Sequence, residues 1–290
     1  MLTLPLAVPG MASDTLLQEL DSGCIDWSTG TVRVRGIGTP DVMDDGQASG
    51  SALDILDSAR QMAHANLIET AYTIRINSTS RVADRVAQDP SFRDGLSALA
   101  GNATVTRQEY LSDGTLEIEL TMNLTGGFGQ FVLPEEIRQV ETVTTMTAAQ
   151  PTIEPIEKAT AVADAGPYTG LILDATGIGA KPSLVPVVVD ESDEVVYGPA
   201  FVSREFAVSR GMSGFATTLA AARLDARVGD RPMIVKAIRT RSTGATDLVI
   251  ATPDAARLRS SVAHLNFLKA CRVSIVIDGA GSPEPEKESR

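Results

Sequence analysis

The stretch Ala52-Leu-Asp-Ile-Leu-Asp-Ser-Ala-Arg-Gln-Met-Ala-His-Ala-Asn-Leu-Ile-Glu-Thr-Ala-Tyr-Thr-Ile-Arg-Ile76 decides the fold. Leu56, Ala59, Ala63 and Leu67 recur at helical spacing, and Ile55, Met62, Ala65 and Ile68 widen the stripe. Asp54, Asp57, Arg60 and Glu69 form a mostly charged outer face. The small residues of the stripe let the helix axis lie close to whatever it covers, and the β-rich flanks make a sheet the expected partner. The pattern predicts one helix from about Gly50 to Ala71, running into a strand at Tyr72 to Ile76.

Upstream, Thr31-Val-Arg-Val-Arg-Gly-Ile-Gly38 alternates as a half-buried strand and stops at a glycine turn before Pro40. Asp41 to Gly50 reads as a loop. Downstream, Val82 to Leu99 carries a weaker helical pattern broken at Asp89-Pro90. Thr104 to Tyr110 and Thr115 to Asn123 alternate across Ser112-Asp-Gly114, a β-hairpin signal. Glu141 to Ala165 loses all apolar periodicity and reads as a linker. A second β-rich unit follows, with strands at Tyr168–Asp174, Leu184–Val189, Glu194–Tyr197, Met233–Ile238, Asp247–Ile250 and Arg272–Asp278. A short helix is expected at Thr217–Arg223, and another, capped by Thr252 with Pro253 at its first position, runs to about Leu268.

At 290 residues the chain has room for two domains with their own cores. A net charge of -12 and an aromatic content of 4% argue against nucleic acid, which rewards basic surfaces and stacking platforms. No apolar run is long enough to span a membrane. Met1 to Ser13 is apolar and uncharged and ends in small residues, like the last part of a secretory signal, so export to the bacterial envelope is expected. Cys24 and Cys271 could pair in an oxidising compartment, but two buried thiols are the simpler reading. Asp21-Ser-Gly-Cys24 lacks the aliphatic residue that lipidation of Cys24 would need.

The candidate chemistry gives way to bland readings. Gly36-Ile-Gly38 and Gly177-Ile-Gly179 lack the third glycine and the following helix of a dinucleotide site, and tight turns explain both. Asp41, Asp44 and Asp45, and likewise Asp190, Glu191, Asp193 and Glu194, lack the alternating ligand pattern of a calcium loop and read as acidic loops. Ser213 in Gly211-Met-Ser-Gly214 is near a nucleophile elbow without its full glycine spacing. His64 and His264, the two histidines, would have to meet it across domains and read as helix-face residues. Asn77, Asn102 and Asn123 open chance glycosylation triplets. No catalytic, cofactor-binding or metal-binding residues and no cofactor are therefore assigned.

Ala59 to Ala65, Asn66-Leu-Ile68, Tyr72 to Ile76 and Ser78-Thr-Ser80 resemble the helix-to-strand core of the LPP-type lipoprotein and FlgT N-terminal family. Leu120 to Gly126 and Leu133-Pro134 are similar to the closing strand and exit of that family, so the resemblance covers about residues 24–140. Tyr168 to Ala175, Lys181 to Pro186, Arg227 to Pro232 and Phe267 to Val273 resemble a segment that accompanies this module in envelope proteins. The resemblance implies secreted, non-enzymatic modules that attach to the envelope or build rings around the flagellar basal body, with no catalytic residues to carry over.

The expectation is α+β, two domains, each a mostly antiparallel sheet with helices packed on one face. Residues 1–23 would be a signal remnant and lead-in, 24–140 the first domain, 141–166 a linker, 167–279 the second domain and 280–290 a disordered tail. The expected function is that of an exported periplasmic or outer-membrane-associated assembly protein, not an enzyme. Its partners would be envelope or flagellar proteins or a second copy of itself. The alternative is a periplasmic module binding a small ligand or cell-wall glycan between the domains, near Trp27 and Tyr168.

Overall fold

The computed structural model describes residues 15–42, 48–49, 51–137, 167–241 and 244–279. Residues 1–14 of the expected signal remnant, the linker and tail, and Asp44 and Asp45 of the first acidic loop lie outside them, while Leu17–Leu20, expected in the lead-in, form a strand of the first sheet because they pair with Gly23–Asp26.

The first unit begins with strands β1 (Leu17–Leu20), β2 (Gly23–Asp26) and β3 (Thr31–Gly38). A two-stranded ribbon, β4 (Asp41–Val42) and β5 (Ala48–Ser49), leads to helix α1 (Ala52–Thr73). Helices α2 (Val82–Gln88) and α3 (Pro90–Gly101), the hairpin β6 (Thr104–Tyr110) and β7 (Leu116–Asn123), and helix α4 (Gly127–Val132) complete it. The sheet has the order β1-β2-β3-β7-β6 and is antiparallel throughout. Val32 and Val34 of β3 and Leu116, Ile118, Leu120 and Met122 of β7 face the core, as the alternation predicts.

Helix α1 starts in a capping box, where Ser51 and Asp54 satisfy each other's free backbone N–H groups. It buries Ala59, Ala63, Leu67, Thr70 and Ala71. Gly36 and Gly38 are not turn residues: they lie inside β3, where the backbone of α1 rests directly on them. A Cβ at Gly36 would lie 2.0 Å from the Ala59 carbonyl oxygen, and one at Gly38 2.0 Å from that of Ile55. The alanine stripe and the two glycines are thus one packing device.

The strand expected at Tyr72 to Ile76 does not form. The helix runs on through Thr73, and Arg75 makes one antiparallel bridge to Arg81 across a turn that Asn77 holds by accepting from the N–H groups of Thr79 and Ser80. The helical pattern breaks at Asp89-Pro90, as foreseen; Asp89 also caps the next helix, accepting from the Ser91 N–H with Pro90 at the first helical position.

The second unit runs β8 (Gly170–Asp174), β9 (Val188–Asp190), β10 (Val195–Tyr197), a 3-10 turn at Pro199–Phe201, α5 (Arg204–Arg210), β11 (Gly214–Ala216) and α6 (Leu219–Leu224). It closes with β12 (Pro232–Thr240), β13 (Leu248–Ile250), α7 (Thr252–Arg259), α8 (Val262–Lys269) and β14 (Val273–Val276). The α+β architecture of two sheets holds, but this second sheet is mixed. In the order β10-β9-β13-β12-β8-β14-β11, the pairs β9–β13, β12–β8, β8–β14 and β14–β11 are parallel. Helices cover both of its faces, not one. Ile172 of β8 packs with Ala222 of α6, while Leu171 and Leu173 join the main core with Phe267 and Leu268 of α8. Crossovers that return a strand parallel to its neighbour carry helices on the faces, which accounts for the fully buried Leu-Ile-Leu run.

The single helix expected from Thr252 breaks at Ser260, and Ser261 caps the second piece. Thr252 is itself the first helical residue. Its N–H and hydroxyl donate to the Glu191 carboxylate at 2.9 and 3.1 Å, so the cap comes from a loop 61 residues away.

The two units share one continuous hydrophobic cluster. The Gly126 N–H donates to the Val208 carbonyl, and Arg204 donates to the carbonyls of Pro134 and Gln130. Leu184 and Val185 donate to the carbonyls of Arg75 and Ile76, so the failed strand serves as a tie between the units.

Candidate functional site

Two features stand out once the core is accounted for: an uncovered sheet edge and a small cavity between the units.

The edge is β6. All seven of its residues are exposed, on both faces of the strand. Val105 is 45% exposed and Tyr110 57%, although both point to the side that α1 covers further along the sheet. The ladder sets which backbone groups are free. Leu111 N–H donates to the Thr115 carbonyl at 2.8 Å, so by antiparallel alternation the groups of Glu109 and Arg107 face β7 while those of Gln108 and Tyr110 face outward. Arg107 and Glu109 form an ion pair along the strand.

Other free edges are handled differently. β2 pairs with β3 only over Thr31–Arg33, and beyond it α1 blocks the edge. Asn66 Nδ2 donates to the Arg35 carbonyl at 2.7 Å, and the Ile37 N–H donates to the Met62 sulfur at 3.2 Å. A groove of about 580 Å³ runs beside that edge, past Cys24, Arg33 and Met62. β11 is wholly buried, β10 is three residues long and β1 is four. Long edges left open are uncommon because they invite pairing with another chain.

The cavity, about 80 Å³, lies where Trp27 to Gly30 and Leu124 of the first unit face Ser183, Leu184 and Arg210 to Phe215 of the second. Trp27 meets Phe215 edge-to-face at 5.8 Å, and its indole N–H donates to Gln18. Arg227 also lines it, donating through its terminal nitrogens to the carbonyls of Gly211 and Arg210, with Asp225 at 3.6 Å from Nε. Burial pushes the pKa of this guanidinium down, and Asp225 opposes the shift. Behind it Tyr197, fully enclosed, donates its hydroxyl to the Met212 carbonyl. Burial raises the Tyr197 hydroxyl well above its ordinary range and the Cys271 thiol to about 11. A thiol so held stays protonated at neutral pH and is no nucleophile. Cys24 and Cys271 are both free thiols.

Of the residues the sequence singled out, the cavity gathers Trp27 and Ser213 and leaves the rest apart. Tyr168 packs on His264 instead, at 5.5 Å between rings. His264 hydrogen-bonds the Arg257 carbonyl through Nδ1, and His64 sits on α1, so neither histidine lines the cavity with Ser213. Asp190 accepts from the N–H groups of Ser192 and Glu194 and pairs with Arg259 at 3.1 Å, while Glu191 caps α7 and Asp193 pairs with Arg241. The second acidic loop is thus a hairpin turn with its carboxylates spoken for. Gly177 and Gly179 adopt positive φ in a turn, as expected. Among the described residues no cluster of three or more His, Cys, Asp or Glu is placed to hold a metal ion. No helix among them is long and apolar enough to cross a membrane. Sequence reasoning missed Arg210, Arg227 and Ser183, which carry no local pattern.

Residues 170–279 match the family model for the second domain of the Treponema pallidum protein Tp0624. The match contains the whole seven-stranded sheet and none of the first unit, where β6 lies. No curated protein matches the chain.

Proposed function

We propose that this chain is a non-catalytic assembly protein of the bacterial envelope that self-associates by pairing β6 with β6 of a second copy. The observation that carries the reading is the seven-residue edge exposed on both faces, beside a β3 edge that the same fold takes care to block. A two-fold axis through Gln108 sets antiparallel partners whose numbers sum to 216. That register faces the outward backbone groups of Gln108 with those of Gln108 in the second copy, and it places Arg107 opposite Glu109. The contact is isologous and closes as a dimer with one continuous ten-stranded sheet, five strands from each copy. Placement in the envelope is supported by the apolar lead at Met1 to Ser13.

The test is light scattering across a concentration series on the full chain and on Gln108→Pro. The Gln108 N–H faces away from β7, so proline there spares the internal ladder and blocks only an incoming strand. A wild-type dimer that the substitution renders monomeric, with its circular dichroism retained, supports the reading. A wild-type monomer at every concentration, or a dimer that survives Gln108→Pro, overturns it.

A further inference from the structure

The cavity between the units holds polar groups that the fold itself leaves unsatisfied. Ser183 is 1% exposed, and its Oγ has no hydrogen-bond partner; the Ser213 Oγ and the Arg227 Nε are likewise enclosed without one. All three residues line the same cavity. Most buried polar atoms are hydrogen-bonded, so two orphaned hydroxyls around one void, beside a guanidinium whose Nε has only the Asp225 carboxylate at 3.6 Å, mark a place made for something that supplies partners.

The charges and walls say what kind of group that is. Arg210 and Arg227 are the charged side chains of the lining. Arg227 has Asp225 beside it and gives its terminal nitrogens to backbone carbonyls. Arg210 stacks on the Phe206 ring at 5.0 Å and has no carboxylate partner among the described residues. Two guanidiniums against one carboxylate leave a single positive charge in a protein whose net charge is -12, which suits a monoanion, and Asp225 would oppose a second negative charge. Trp27, Leu124, Leu184, Met212 and Phe215 supply the apolar walls, and Ser28, Thr29 and Thr125 also line the cavity. The engineered cavity that takes benzene, about 150 Å³, is roughly twice this size, so the occupant is smaller than a six-membered ring.

We propose that this cavity binds a small monocarboxylate, its head on Arg210 and the hydroxyls of Ser183 and Ser213, and its short apolar tail against Trp27 and Phe215. The site is independent of β6, so dimerisation can fail without touching it.

Trp27 is the sole tryptophan and lines the cavity, so its emission reports occupancy directly. Sodium propionate is titrated into the full chain, with propionamide as the neutral isostere, sodium chloride as the ionic control and inorganic phosphate as the polyvalent competitor. The expected result is a saturable change in Trp27 emission with propionate alone, weakened at least tenfold by Arg210→Gln. Ser183→Ala is a second arm: it removes an orphaned hydroxyl, so it keeps or raises the Tm without propionate and abolishes the rise in Tm that propionate brings. A response shared with propionamide or chloride, tighter binding of phosphate, or no saturable response at all overturns the assignment; the last result means that the cavity holds water only.

Discussion

The carbonyl oxygen of Ala59 on α1 stands 2.0 Å from the point where a Cβ on Gly36 of β3 would be. Helix and strand therefore touch through backbone, and the same void-free contact reaches the Ala63 amide, 2.4 Å from that point. Gly36→Ala is expected to push α1 off the sheet and cost about 3 kcal/mol or more, as severe overpacking does. Urea denaturation of the variant measures this; an unchanged midpoint would show that the helix does not sit on Gly36.

Glu191 holds the start of α7 from a distant turn, accepting from the Thr252 N–H and hydroxyl. Glu191→Ala is expected to cost about 1 kcal/mol, the usual worth of a lost N-cap. Glu191→Gln, which keeps an acceptor oxygen, is expected to recover most of it. Thermal denaturation of both variants compares them.

The Cys271 thiol, raised by burial from 9.0 to about 11, links stability to alkaline pH. Its folded pKa lies above the unfolded one, so this contribution is fully present below about pH 9 and is lost as pH rises through about 11. At the top of that window the loss attributable to this group is about 2 kcal/mol. Cys271→Ala is expected to flatten the alkaline limb of the stability profile. In the native state a thiol reagent at neutral pH is expected to modify the half-buried Cys24 and spare Cys271.

Much of the first unit was legible because its period is local. The Thr31–Gly38 alternation became β3 with Val32 and Val34 inward, and the stripe through Ala59 and Ala63 became the face of α1 that meets it. Tyr72 to Ile76 misled because its alternation is real, but Asn77 turns the chain and the backbone of Arg75 and Ile76 pairs with Leu184 and Val185 from the other unit. Nothing near residue 75 announces a partner more than a hundred residues on.

The short β1–β2 hairpin and β11 were missed for the opposite reason, being too brief for a period to show. The second sheet reads as antiparallel in a sequence of short apolar runs, since β8 and β14 become parallel only through the crossovers that join them. The cavity was the least legible feature. Ser183, Arg210 and Arg227 come from three separate loops and helix ends, and only the packing of one unit on the other sets their hydroxyl and guanidinium groups around a single void.

Self-association through β6 is the central claim, and charge reversal at its two ionic positions tests it most directly. In the proposed register Arg107 faces Glu109 of the second copy twice over, so Arg107→Glu and Glu109→Arg each create like-charge pairs within their own dimers. Mixed together, the two variants present only opposite charges to one another. Sedimentation velocity is expected to find each variant monomeric alone and a one-to-one heterodimer in the mixture, restored to the wild-type sedimentation coefficient. A mixture that stays monomeric while the wild type dimerises, or variants that dimerise alone as well as the wild type, would contradict pairing through this edge.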